Sequence, residues 1–443
     1  MNHVPPVCRQ VIVPLIALMI GGNAARVLAA PGDENWPAMR GPQASGVAPL
    51  AVPPLAWSET RNVKWKVKIP GAGAASPVVW GNRVFVQTAI PTKSPAPGAA
   101  GRGALTLPPP TDPLQFVIQC LDRQTGKLLW EQVACTQAPH EGAHPDGTYA
   151  SPTSVTDGQH VWAFFGSRGL YCYDMEGKLQ WSHDFGRMKI LMGFGEGCSP
   201  ALYGDVLLVN WDHEGDSFLY ALDKLTGQIL WKQPRDEKTS WATPLVVEHE
   251  GAQQVITAAS SKVRSYELKT GKLIWQCAGL TRNVIPSPVA GDGMVYCMSG
   301  YSGFSLLAIR LGGTGDLTGT DAIAWRYAKN TPYVPSPLLY NGRLYFFASN
   351  SNALTCLDAR TGRPLIDAAK IAALQEVYSS PVGAGGRVYL VGRNGATVVI
   401  KASDGLEILA TNTLDEKFEA SPALAGPDLF LRGKEYLYCM SEK

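Results

Sequence analysis

A Ser-Pro or Thr-Pro pair recurs eight times along the chain, at Ser76, Ser151, Ser199, Thr243, Ser287, Ser336, Ser380 and Ser421, and from Ser151 onward the starts lie 41 to 49 residues apart. A second signal repeats between them: an acidic turn, a Gly, and a short strand ending in Trp. It stands as LDRQTGKLLW (121–130), YDMEGKLQW (173–181), LDKLTGQILW (222–231) and YELKTGKLIW (266–275). It degrades to LDARTGRPLI (357–366) and IKASDGLEIL (400–409), and is stretched to RLGGTGDLTGTDAIAW at 310–325. Residues 199–231 show one whole unit. Its apolar stretches SPALY, DVLLVNW, FLYALD and QILW are separated by Gly, Asp and Asn, which is the chemistry of short strands and hairpins. Asp223 can bond the backbone of its own turn, and Gly227 can take the positive φ that a tight return needs. A lone four-stranded sheet cannot bury Trp231, so the units must pack on one another.

Four strands per unit at a period of roughly 40–45 residues is the signature of a β-propeller. The sequence therefore predicts an all-β fold, an eight-bladed β-propeller of four-stranded antiparallel blades. The last unit opens at Ser421, runs through DLFLRG and YLYCM, and stops at Lys443 without a fourth strand. NVKWKVKI (62–69) supplies a strand with Trp65 where other units carry their final Trp. Residues 62–69 are thus expected to complete the eighth blade and close the ring, which also removes an open sheet edge. The propeller would span 62–443, and an N-terminal arm (31–61), containing NWPAMRGP, would lie across its surface. An insertion in blade one (88–114) carries seven prolines with many Gly and Ala residues, and reads as a coreless loop, either a solvated tip or a lid. DAAKIAALQEV (367–377) reads as the single short helix.

At 45% hydrophobic and 17% charged, the composition is that of an ordinary globular protein. Arg9 precedes the apolar run VIVPLIALMI (11–20), and VLAA (27–30) offers small residues for cleavage, so residues 1–30 read as a signal peptide. No later segment has the ~18 apolar residues of a membrane span, and Cys8 precedes the apolar run instead of following it as a lipid anchor would. The expected product is soluble, periplasmic or secreted, and not a lipoprotein. Cleavage would remove Arg9 and Arg26 and no acid, bringing 39 basic residues level with 37 acidic ones. That balance favours neither nucleic acid nor an anionic membrane. Eight cysteines would remain. Cys120, Cys172, Cys356 and Cys439 fill one small-residue slot in different units, too far apart to bridge; Cys135, Cys198, Cys277 and Cys297 are left open, a Cys135–Cys198 bridge included.

In a propeller, the connection between blades and the loop between the second and third strands share one face, where ligands gather at the channel mouth. That face collects the candidate ligand residues Arg168, Glu196, Asp212, His213, Glu214, Trp241, Tyr301, Arg393 and Lys434. Arg168, Arg393 and Lys434 could ring the mouth with positive charge, or could pair with Glu196, Glu376 and Glu419. Trp211 and Trp241 fall outside the strand-four slot and suit ligand stacking. His140-Glu141-Gly142-Ala143-His144 spells HExxH, yet Pro139, Gly142 and Pro145 deny it the helix on which that zinc chemistry depends. A loop metal site from His140, His144 or Asp146, or from Asp212 and Asp216, needs no helix. No nucleophile elbow, Walker loop or dinucleotide fingerprint is present.

The unit SPxxxGxxVxV…LxALDxxTGxxLW resembles the pyrroloquinoline quinone (PQQ) repeat over residues 62–443. That repeat builds the eight-bladed propellers of quinoprotein alcohol dehydrogenases and of the bacterial outer-membrane assembly factor BamB. The resemblance implies the fold. Its dehydrogenase branch implies PQQ with calcium, but this chain has neither that branch's adjacent cysteines nor a CxxCH haem segment. Two functions follow. One is a scaffold that binds a protein partner or a small molecule on the propeller face. The other is a quinoprotein-like oxidoreductase with an atypical PQQ–calcium site drawn from Arg168, Asp212, Glu214, Trp241 and Arg393. The scaffold predicts that Asp212→Ala is tolerated; the oxidoreductase predicts that it abolishes turnover.

Overall fold

A computed structural model of the chain describes residue 1, residues 34–93 and residues 105–442. The expected leader therefore lies, Met1 apart, outside the described residues, as does the centre of the blade-one insertion. Each repeat unit becomes one antiparallel sheet, and eight such sheets form the ring. In blade three the strands Ala201–Tyr203, Val206–Trp211, Ser217–Asp223 and Ile229–Arg235 pair in chain order from the channel outward. Neighbouring blades cover both faces of the middle strands, so Leu207, Leu208 and Val209 are all buried. This explains why these strands read as continuous apolar runs instead of alternating ones.

The ring closes as the sequence predicts. Val63–Lys68 pairs antiparallel with Tyr436–Met440 as the outer strand of blade eight. Adjacent blades are joined by Trp on the outer strand. The indole Nε1 of Trp65 donates to Arg123 O (2.8 Å), Trp130 to Met175 O (2.8 Å), Trp181 to Lys224 O (3.1 Å) and Trp231 to Leu268 O (2.9 Å). Each acceptor belongs to the acidic turn of the next blade. The turn Gly is required twice over: Gly227 has φ +70°, and a Cβ there would meet the Trp181 ring at 2.6 Å. The small-residue slot has its reason in the same packing, since Cys120, Cys172, Ala221, Ser265, Ala308 and Cys439 each lie opposite a Trp in register. Trp275 meets the stretched turn of blade five instead. Its Nε1 bonds Gln254 (3.3 Å), and Gly315–Asp316 folds back as a parallel strand along Leu273–Cys277.

The Ser-Pro pairs build a second link, around the channel. At seven of the eight blade junctions the Ser or Thr backbone N–H donates to the hydroxyl of the next blade: Ser76 to Thr153, then Ser199, Thr243, Ser287, Ser336, Ser380 and Ser421, at 2.9–3.2 Å. These amides lie where no ladder partner exists, and the hydroxyl satisfies them. Blade two uses Thr153, two residues beyond the Ser151-Pro152 pair, so the register read from the Ser-Pro pair is two residues early in that blade.

The arm crosses the opposite face. Trp36 exchanges two backbone bonds with Val79 of blade one (2.8 Å each), Pro37 O accepts from Thr156 of blade two, and Val47–Ala48 adds a parallel strand to blade seven. Between them Arg40 is buried, with Nη1 on Pro381 O (2.9 Å) and Nη2 on Pro337 O (2.8 Å). Burial without a carboxylate pulls its pKa down to about 9. The expected helix at 367–377 does not form: Pro364–Lys370 is the outer strand of blade six, and residues 371–377 are turn and extended chain. Strand pairing with Ala353–Asp358 outweighs the helical spacing of the apolar residues. Among the described residues the only helical segments are two short 3-10 turns, Gly166–Arg168 and Leu191–Gly193, and no helix is long and apolar enough to cross a membrane.

Candidate ligand site at the channel mouth

A cavity of about 270 Å³ opens at the end of the channel away from most of the arm, with Met39 among its lining residues. One rule of spacing builds its wall. The residue two places before each ring hydroxyl faces the cavity: Ala74, Ser151, Gly197, Trp241, Ile285, Val334, Tyr378 and Glu419. Phe194, Tyr333, His144, Asp146, Glu196 and Asn350 complete the wall. Four aromatic rings and three carboxylates thus share one opening, and its lining contains no Lys or Arg.

The aromatic groups are set by backbone. Trp241 Nε1 donates to Gly195 O (2.8 Å), and Trp241 N to Val284 O (2.9 Å). Tyr333 packs against Tyr301 at 4.9 Å between centroids with the rings tilted by 34°, and Tyr301 itself is 54% exposed on the rim. Glu196 is held by Ser167 N (2.6 Å) and Arg168 Nη1 (3.4 Å). A Cβ on Gly166 would meet the Glu196 carboxylate at 1.6 Å, so only Gly lets it seat there.

Asp146 is carried on the connection between blades one and two and reaches blade seven. Its Oδ1 pairs with Arg393, and its Oδ2 accepts from Tyr378 Oη (3.3 Å). Arg393 also pairs with Glu376 (2.6 Å) and Glu419 (2.7 Å) and lies 4.3 Å over the Tyr378 ring. Lys417 adds contacts to Glu419 (3.2 Å) and Asp146 (3.8 Å). Burial works against the Asp146 carboxylate, but the Arg393 guanidinium, with Lys417, outweighs it and holds its pKa below the ordinary value. The same connection exchanges two backbone bonds between Ala143 and Leu107, so the described end of the blade-one insertion braces it.

The structure separates the candidates. Glu196 and Trp241 line the cavity, and Arg168, Arg393 and Tyr301 stand directly behind or beside it. Arg168 and Arg393 are paired with Glu196, Glu376 and Glu419, so they do not present a free positive ring. The backbone N of Lys434 bonds Lys417 O (3.0 Å), and the residue lies outside the lining. Asp212, His213 and Glu214 do not reach the mouth. The Asp212 carboxylate takes Arg235 Nε (2.7 Å) and Nη2 (2.9 Å) and Ser240 Oγ (2.5 Å), with both ion-pair side chains fully buried. His213 bonds Lys189 N (3.1 Å) and Asp216 O (3.0 Å), and Glu214 bonds Thr239 Oγ1 (2.7 Å). Trp211 is buried against Phe164 and Phe185.

The metal candidates are likewise dispersed. His140 Nε2 donates to Met188 O (2.7 Å), Glu141 accepts from Ile190 N (2.9 Å), and His144 Nδ1 accepts from Asp146 N (3.1 Å). Asp216 contributes its carbonyl to His213, away from all of them. Among the described residues no three His, Cys, Asp or Glu side chains converge as a metal-binding group. The eight described cysteines are free; Cys135 Sγ lies on Arg168 O (3.7 Å) and Cys198 Sγ on Ala242 O (3.4 Å).

Fold and channel together define an eight-bladed propeller of the PQQ-like class. More particularly, a profile described as outer membrane protein assembly factor BamB matches residues 115–366, more than half of the chain, and the chain belongs to that family. No curated protein matches. Among solved structures, BamB from Moraxella catarrhalis is similar at 12% identity and a TM-score of 0.56, covering 85% of this chain and 98% of that one. A europium-containing methanol dehydrogenase is similar at 10% identity and a TM-score of 0.61, covering 93% and 98%. Quinohemoprotein alcohol dehydrogenase from Comamonas testosteroni is similar at 10% identity and a TM-score of 0.62, covering 94% and 82%. At these identities the likeness is one of fold.

Proposed function

We propose that this chain is an exported binding scaffold whose channel mouth holds a small molecule or a side chain of a protein partner. The observation that carries this reading is the wall itself. Eight blades each place one residue, two before the ring hydroxyl, around a cavity that is aromatic and acidic. The export signal expected at 1–30 from the sequence and the family's BamB description favour a role outside the cytoplasm.

A bound PQQ would supply two-electron oxidation chemistry, but the donor set does not fit it. PQQ is a flat tricarboxylate and calls for cations. The lining offers Asp146, Glu196 and Glu419, while Arg168, Arg393 and Lys417 already face those acids. Calcium could in principle screen the acids, yet no group of three ligating side chains is gathered among the described residues.

The test is a titration of the purified protein with PQQ and calcium, following Trp fluorescence and dye reduction with a panel of alcohols and sugars. The scaffold predicts no saturable quenching at tens of micromolar, an affinity weaker than roughly 6 kcal/mol. Saturable quenching with turnover would overturn it in favour of an oxidoreductase.

A further inference from the structure

We infer that the channel mouth recognises a single organic cation, a guanidinium or alkylammonium group; the inference rests on the mouth being the binding site and names the chemistry it takes. Charge comes first. Around Asp146 the carboxylates Asp146, Glu376 and Glu419 face the two cations Arg393 and Lys417, and Glu196 is balanced by Arg168. Within the Asp146 cluster the carboxylates outnumber the cations by one, at the rim of a cavity whose low-dielectric walls concentrate the local field; Arg432, a buried guanidinium with no carboxylate partner among the described residues, is turned to Gly73 O (2.9 Å) and lies outside the lining. The leftover valence also has a place. The shortest contacts of Glu419 with Arg393 (2.7 Å) and Lys417 (3.2 Å) fall on Oε1. Oε2 accepts no hydrogen bond among the described residues and belongs to a partly exposed side chain that lines the cavity.

The aromatic wall supplies the second half of the recognition. Phe194, Trp241, Tyr333 and Tyr378 come from four different connections between blades and face one space. A cation over such rings is attracted by their quadrupole, most strongly when it is desolvated. The protein already displays the pattern in its own chain. The Arg393 guanidinium lies 4.3 Å over Tyr378 while three carboxylates hold its edge. A second cation admitted to the cavity would find Trp241 and Tyr333 on its wall and the Glu419 carboxylate as an acceptor, the same two kinds of group that hold Arg393. Neutral and anionic ligands bring no positive charge to the Glu419 acceptor.

The probes are N-acetyl-argininamide, its neutral isostere N-acetyl-citrullinamide, and glutarate, titrated calorimetrically into the full chain at low salt. Saturable binding of the arginine derivative, with the citrulline derivative at least about tenfold weaker, is the expected result. Glu419→Gln should weaken the arginine derivative about tenfold, with only the small fall in melting temperature expected of a partly exposed ion pair. A pentapeptide with arginine at its centre separates the two sources of the group: binding as tight as the free amide supports a partner's side chain, and binding of the free amide alone supports a small amine. Citrullinamide or glutarate binding as well as argininamide would overturn the cation and leave binding at the mouth standing. No response to any probe would overturn both.

Discussion

Asp212 with Arg235, and Asp146 with Arg393, are both carboxylate–guanidinium pairs at the same face of the ring, yet their surroundings differ completely. The first pair is bidentate, with neither side chain exposed, and its spare valences go to Ser240, Thr257 and Tyr266. Burial pulls the Arg235 pKa down, but Asp212, together with Tyr266 and Glu237, outweighs it and raises the pKa above its ordinary value. The second pair sits at the rim of a cavity, with the Asp146 side chain 28% exposed and a further acid, Glu419, turned to the opening. Residue type is shared, and what separates structure from function is whether the pair is closed on itself. A closed pair holds blade three to blade four; an open one can accept a ligand.

The comparison breaks most visibly at Asp212. Asp212→Ala leaves Arg235 buried and unpaired, so it should cost about 3–5 kcal/mol, read from urea denaturation. This reverses the tolerance expected of a scaffold from sequence alone, because the residue is structural. A loss below about 1 kcal/mol would show that water reaches Arg235. A smaller effect is expected in the channel ring. Ser380→Ala removes the acceptor of the Ser336 N–H and should cost about 1–2 kcal/mol, whereas Ser151→Ala, at a Ser-Pro pair outside the ring, should cost less in the same denaturation series.

Arg393→Ala opens the latch on the 138–149 connection. For a partly exposed network the expected cost is about 1 kcal/mol, hence roughly fivefold faster hydrogen exchange in that connection, with the difference shrinking in high salt. Exchange unchanged at every salt concentration would mean that the Leu107–Ala143 brace alone holds it. The smallest effect is the acid limit. A carboxyl whose folded pKa is depressed gives stability that is complete above the unfolded value of about 4 and lost as pH falls through the folded one. Asp146 is such a group. The connection should therefore remain latched from neutrality to a pH of about 4 and loosen only below it; loosening between pH 5 and 6 would point to another group.

The ring was legible in the sequence because its determinants are local and repeated. The Ser-Pro pair, the acidic turn with its Gly, and the outer Trp recur in phase, and Trp65 without a partner turn of its own marked the closing strand. The helix misread at 367–377 shows the limit of periodicity, since apolar spacing cannot register the edge that Ala353–Asp358 offers. The site was only half legible. Asp212 looked like a polar tip because nothing local announces Arg235, 23 residues on, as its partner. Tyr378 and Glu419 were passed over as candidates although a signal existed: each stands two residues before a ring hydroxyl, as Trp241 does. That rule required knowing that the hydroxyl, and not the proline, defines the register, which blade two reveals through Thr153.

The most direct measurement is the affinity of N-acetyl-argininamide for three proteins side by side, the natural chain, Asp212→Asn and Glu419→Gln, each with its denaturation curve. The account predicts that Asp212→Asn lowers stability strongly and keeps the affinity of the folded fraction, whereas Glu419→Gln costs at most about 1 kcal/mol of stability and loses about tenfold in affinity. The opposite pattern, affinity lost at Asp212 and retained at Glu419, would contradict it and return the functional site to blade three.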